Sequence, residues 1–77
     1  MKWRYTHITD PHSAMRRYPH QLILSGLGDS DTFHFRQHEI NRWCIRMFGY
    51  EWINVNYSYY FKTQEDTNWF IMRWQDG

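Results

Sequence analysis

The stretch TFHFRQHEINRWCIRMFG at 32–49 and the stretch WINVNYSYYF at 52–61 carry two different periods, and the fold turns on that change. In the first, Ile40, Trp43, Cys44, Met47 and Phe48 recur at i, i+3, i+4, i+7 and i+8, which stacks them as one apolar stripe on a helix over 33–48. Asp31 or Thr32 can cap its start, Gly49 suits the C-terminal cap, and Arg42 and Arg46 lie in the half where the helix dipole favours cations. In the second, Ile53, Val55, Tyr57, Tyr59 and Phe61 alternate with Asn54, Asn56, Ser58 and Tyr60. That pattern predicts one long strand over 52–61 with a wet face. The expected class is therefore α+β: a small sheet with this strand at its centre and the main amphipathic helix (33–48) packed on its apolar face.

Outward from there the signals are shorter. Residues 3–8 combine aromatic and β-branched types with Trp3, Tyr5 and His7 on one face, a first strand, and Gln21 to Ser25 predicts a second. Asp10-Pro11 reads as a helix start and Tyr18-Pro19 as its end, leaving room for one or two turns. The run from Gly26 to Asp31 is a loop by its turn residues. Thr63 to Trp74 fits two descriptions. A helix capped at Thr63-Gln64-Glu65-Asp66 stacks Thr67, Phe70, Ile71 and Trp74 on one face; a hairpin return alternates Phe70, Met72 and Trp74 with Trp69, Ile71 and Arg73. The cap favours a shorter C-terminal helix.

The 77 residues form a single domain (1–77), with residues 1–20 expected to be its less ordered part. Sixteen residues are aromatic whereas Leu, Ile and Val together number ten, so a few large rings must supply the burial. Such aromatic density disfavours disorder. Nine Lys and Arg face eight Asp and Glu, so net charge alone points to no polyanion. Seven of those bases are Arg, which suits planar, multi-donor contacts. The single cysteine rules out an internal disulfide framework and points to a reducing compartment, and no apolar run is long enough for a signal peptide or a membrane span.

The series Arg42-Trp43-Cys44, Phe48-Gly49, Trp52, Tyr60-Phe61, Glu65-Asp66, Trp69-Phe70 and Arg73-Trp74 resembles a pattern of small orphan proteins of tailed bacteriophages. It has the form W-C, F-G, W, F-x-x-x-E-D, F-x-x-R-W and covers the C-terminal half. Its motifs are of packing type and carry no assigned activity. The resemblance implies a phage origin and supports a helix–strand–helix order; with the reducing compartment that the single cysteine suggests, the expected location is the cytoplasm of the infected bacterial host.

Catalytic constellations are scarce. Cys44 lies within the apolar stripe with no histidine on its face, and Glu65-Asp66 is explained by a helix cap. A chain this short hardly encloses a water-excluding cleft, so no enzyme, catalytic residue or cofactor is expected. His34 and His38, four residues apart, form half of a metal site that His7, His12 or His20 would have to complete; a metal-binding module ranks third among the functions considered, and no metal site is assigned. Trp3-Arg4-Tyr5 and the stretch from Tyr57 to Lys62 suit a single-stranded nucleic-acid platform if their rings point outward, the second function considered. The first is protein binding. Opposite the stripe, His38, Arg42, Ile45 and Arg46, with Phe35, share one helix face whose mix of arginine and apolar side chains matches recognition surfaces. Expected partners are thus a host or phage protein, with nucleic acid as the rival and no membrane.

Overall fold

In the computed structural model, which describes residues 1–75, the chain runs through β1 (Trp3–His7), β2 (His20–Leu24), α1 (Asp29–Phe48), β3 (Trp52–Val55), β4 (Ser58–Phe61) and α2 (Gln64–Trp74). The strands make one antiparallel sheet in the order β1-β2-β4-β3. Both helices lie on one side of it, an α+β fold with the core between the two layers. The order is that of two successive ββα units joined where β2 pairs with β4, although the sequence carries no internal repeat. At this junction His20 stands opposite Phe61 and Leu22 opposite Tyr59.

Trp3, Leu22, Tyr59 and Phe61 from the sheet, Phe33, Ile40 and Cys44 from α1, and Phe70 and Trp74 from α2 fill the core. Trp3 meets Phe33, Tyr59 and Phe70 edge-on, with ring centroids 5.8, 5.7 and 5.0 Å away. Edge-to-face pairs add about 0.5–1.5 kcal/mol each beyond the area they bury. The indole Nε1 atoms of Trp3 and Trp74 are buried without a hydrogen-bond partner among the described residues, the cost of filling a small core with indoles. The C-terminal segment is a helix because its cap forms: Thr63 Oγ1 accepts the Asp66 N–H at 3.1 Å, and the buried Thr67 hydroxyl donates to the Thr63 carbonyl at 3.1 Å. Thr67, Phe70 and Trp74 are its buried face, with Ile71 partly covered.

Several expectations need correction. The 52–61 segment is a hairpin: Val55 pairs with Ser58 across a two-residue turn, Asn56-Tyr57. Asn56 takes a φ of 52°, in the left-handed region that asparagine tolerates. β4, paired on both sides, is central, and β3 is an edge strand. The turn also exchanges faces within β3, since Trp52 and Asn54 now register with Phe61 and Tyr59 on the helix side while Ile53 and Val55 face away. Tyr57, in the turn, is 39% exposed.

Helix α1 starts at Asp29, ahead of the expected 33; its N-cap is Gly28 at a φ of 76° with no side-chain cap, so Asp31 and Thr32 lie inside the helix. Met47 does not join the stripe but is 45% exposed, and Trp43 and Phe48 pack only partly against the core. The helix instead turns Gln37 and Asn41 towards β3, where both reach Asn54. Residues 11–18 form no helix. The Asp10 and Ser13 carbonyls accept the Ser13 and Arg16 N–H groups in successive four-residue turns, and the Asp10 carboxylate accepts the His12 N–H at 2.9 Å, a local turn in place of a cap. The N-terminal residues are anchored, with Met1 and Trp3 buried and β1 paired along β2.

The sheet face away from the helices carries Arg4, Ile23, Ser58 and Val55 side by side, then Thr6, Gln21, Tyr60 and Ile53. Gln21 Nε2 donates to Tyr60 Oη at 3.1 Å and to Ser58 Oγ at 3.4 Å.

Candidate functional site

The outer face of α1 is exposed as its periodicity predicts. Phe35 is 92% exposed, Ile45 is about half exposed, and His38, Arg42 and Arg46 are open to solvent. Phe35, His38, Glu39, Arg42 and Arg46 line a shallow depression of about 330 Å³. Glu39, the acid nearest Arg42 in sequence, is engaged elsewhere. The Arg36 guanidinium holds it through Nε at 3.2 Å and Nη2 at 3.3 Å, and Arg73 of α2 approaches to 4.0 Å. The hydrogen bond from Arg36 is the main reason the Glu39 carboxyl sits below its ordinary pKa. Among the described residues, neither Arg42 nor Arg46 meets a carboxylate.

Around the helix from this ridge, Trp43, Met47, Trp69, Met72 and Arg73 line an apolar groove of about 310 Å³ between α1 and α2. Met72 is 76% exposed, and Trp69 is about half exposed. Arg36 and Arg73 stack on Trp74, at 5.0 and 4.1 Å from its ring, which holds Arg73 at the α2 rim of the groove. Sequence reasoning missed this groove because it assigned Met47 to the core. The signal was present for Trp69 and Met72, since a helix that buries Thr67, Phe70 and Trp74 turns them outward.

The other candidates are dispersed. Cys44 is buried, and burial pushes its thiol up to about 12. Tyr59 donates a short hydrogen bond to Asn41 Oδ1, and its hydroxyl too is raised by burial and then by Cys44. His34 shares a hydrogen bond with Tyr57 Oη at 3.0 Å, at the turn end of β4. His7 and His20 stack with ring centroids 4.9 Å apart at the opposite end of the sheet, where Tyr5 Oη lies 2.7 Å from His20 Nδ1. Among the described residues no three His, Cys, Asp or Glu side chains gather to hold a metal ion. Glu65 and Asp66 occupy the first turn of α2, and Asp66 is held there by Thr63. No helix is long and apolar enough to cross a membrane among the described residues.

Compared with known proteins, the chain matches no family model, no curated protein sequence and no solved structure.

Proposed function

We propose that the chain is a non-enzymatic accessory protein of a bacteriophage, acting in the cytoplasm of the infected bacterium, that binds a host or phage protein through the outer face of α1 and modulates it. The observation that carries this reading is one ridge where a nearly bare phenyl ring, Phe35, stands beside two arginines, Arg42 and Arg46, that meet no acid among the described residues. An exposed ring and guanidinium groups free of carboxylates are the combination an acidic protein surface satisfies: its carboxylates take bidentate hydrogen bonds while Phe35 and Ile45 lose water. The phage origin rests on the resemblance of the C-terminal aromatic pattern, and the location on that origin together with the single cysteine.

The test is affinity capture from bacterial lysate with the parent chain and the variant Arg42→Glu with Arg46→Glu in parallel, followed by titration of the captured partner. The double charge reversal is expected to weaken binding by about 2 kcal/mol or more. Partner binding retained at parental affinity by the folded variant would place the working surface elsewhere.

A further inference from the structure

We infer that the free face of the sheet, on the side opposite α1, is a second binding site, for a strand of single-stranded nucleic acid. The inference starts from how the fold distributes charge. Lys2, Arg4, Arg16, Arg17 and Lys62 all lie outside the helices, whereas among the described residues only Asp10 and Glu51 are acids outside them. The remaining described acids are on α1 and α2. A chain that is nearly neutral as a sequence is thus divided by its fold into a basic sheet-and-loop side and a helical side that holds most of the acid.

The cations flank a flat apolar centre. Arg4 stands on the free face of edge strand β1. At the far side, where β4 ends and β3 begins, Arg17, Tyr18, Glu51 and Lys62 line a depression of about 440 Å³. Arg4 stands in the row of Ile23 and Ser58 and the depression lies beyond the end row of Phe61 and Trp52, so a polynucleotide running diagonally over this face meets cations at both ends of its path. Between them Ile23 and Ile53 offer apolar area and Tyr60 a ring for stacking bases, its hydroxyl held by the Gln21 amide at 3.1 Å. Both helices pack on the other side of the sheet, so this face presents neither of them to a duplex groove, which favours the single strand. Glu51 does not neutralise the margin: it lies 3.9 Å from Lys62 between exposed side chains, a pairing that a phosphate displaces at little cost.

This site is independent of the α1 ridge, and its test separates the two. The full chain is titrated into a fluorescein-labelled oligothymidylate of about 16 nucleotides, read by anisotropy at several salt concentrations. Saturable binding that weakens with salt is expected. The variant Arg4→Gln with Lys62→Gln, both positions exposed, should bind about tenfold more weakly and lower the salt slope by roughly 1.4, at about 0.7 for each phosphate no longer neutralised. Tyr60→Leu should weaken binding about tenfold with the slope unchanged, as removal of a stacking ring does; if it fails to fold by circular dichroism, the Arg4 and Lys62 pair decides alone. Arg42→Glu with Arg46→Glu should stay within about twofold of the parent. The inference is overturned by absence of saturable binding at low salt, by an unchanged salt slope in the Arg4 and Lys62 variant, by an equal loss of affinity in the α1 variant, or by a duplex or inorganic polyphosphate competing as well as the oligonucleotide.

Discussion

Water is excluded from the Cys44 thiol on every side, and with its pKa pushed up to about 12 the thiolate is scarce at neutral pH. Cys44 should therefore react slowly with a thiol reagent in the native protein and rapidly in denaturant; fast native labelling would contradict its burial. His20 is shifted in the other sense. Burial first, and then the facing His7, lower its pKa below the ordinary 6.5. The unfolded chain then binds the proton more readily, so the stabilising contribution is complete above pH 6.5 and is lost as pH falls from there through the folded-state value. The melting temperature should drop on acidification in that window, and by less in His20→Gln; equal drops would assign the effect to other groups. Of the described glycines Gly26 is the tightest, since a methyl group there would stand 1.8 Å from Asp29 Oδ2, the atom that also accepts the Lys2 N–H at 2.8 Å. Gly26→Ala should destabilise by about 1–3 kcal/mol, measured by denaturant unfolding. The Cys44 environment was legible in the helix stripe. The glycine was not, because nothing in the spacing tells which side chain crosses over it.

Among the elements, α2 fitted a helix or a hairpin by pattern alone, and its cap decides between them: an S/T-x-x-acid start fixes where a helix begins, and the buried face then follows by counting. Thr63→Ala should cost about 1 kcal/mol, whereas Phe70→Ala, at the centre of the core, should cost about 3–5 kcal/mol. Trp43→Ala should cost less than Phe70→Ala, because Trp43 is only partly buried although it packs edge-on against Phe48, Phe70 and Trp74. Chemical denaturation of the three variants ranks them directly. The hairpin at Asn56-Tyr57 could not be seen by periodicity, as the alternation runs on through the turn without a glycine. The inverted face of β3 is held by Asn54, which accepts from Gln37 and Asn41 of α1, partners distant in sequence, and donates to the nearby Ser58 carbonyl. The outer ridge of α1 was legible for the opposite reason: helical spacing alone turns His38, Arg42, Ile45 and Arg46 away from the stripe, and all four are exposed.

At the scale of the molecule, the α+β class and both helices follow from local patterns, but the strand order does not, because β2 and β4 are brought together only by the shared core. That junction joins two ββα units, with Tyr50, which is 86% exposed, in the short link between them. Each unit leaves an unsatisfied seam: one the outer edge of β2 and Trp3, the other the outer edge of β4 and Phe70. A chain severed at Tyr50 is thus expected to behave as a complementing pair. Residues 1–50 and 51–77 should each lack fixed tertiary structure alone, and mixing them should restore the near-ultraviolet circular dichroism of the intact protein, with a melting temperature that rises with fragment concentration. Mixing without recovery would mean that the covalent link contributes more than the seam. If reassembly occurs, the two halves are mutual templates, and the same seam offers a route by which two intact chains exchange halves at high concentration.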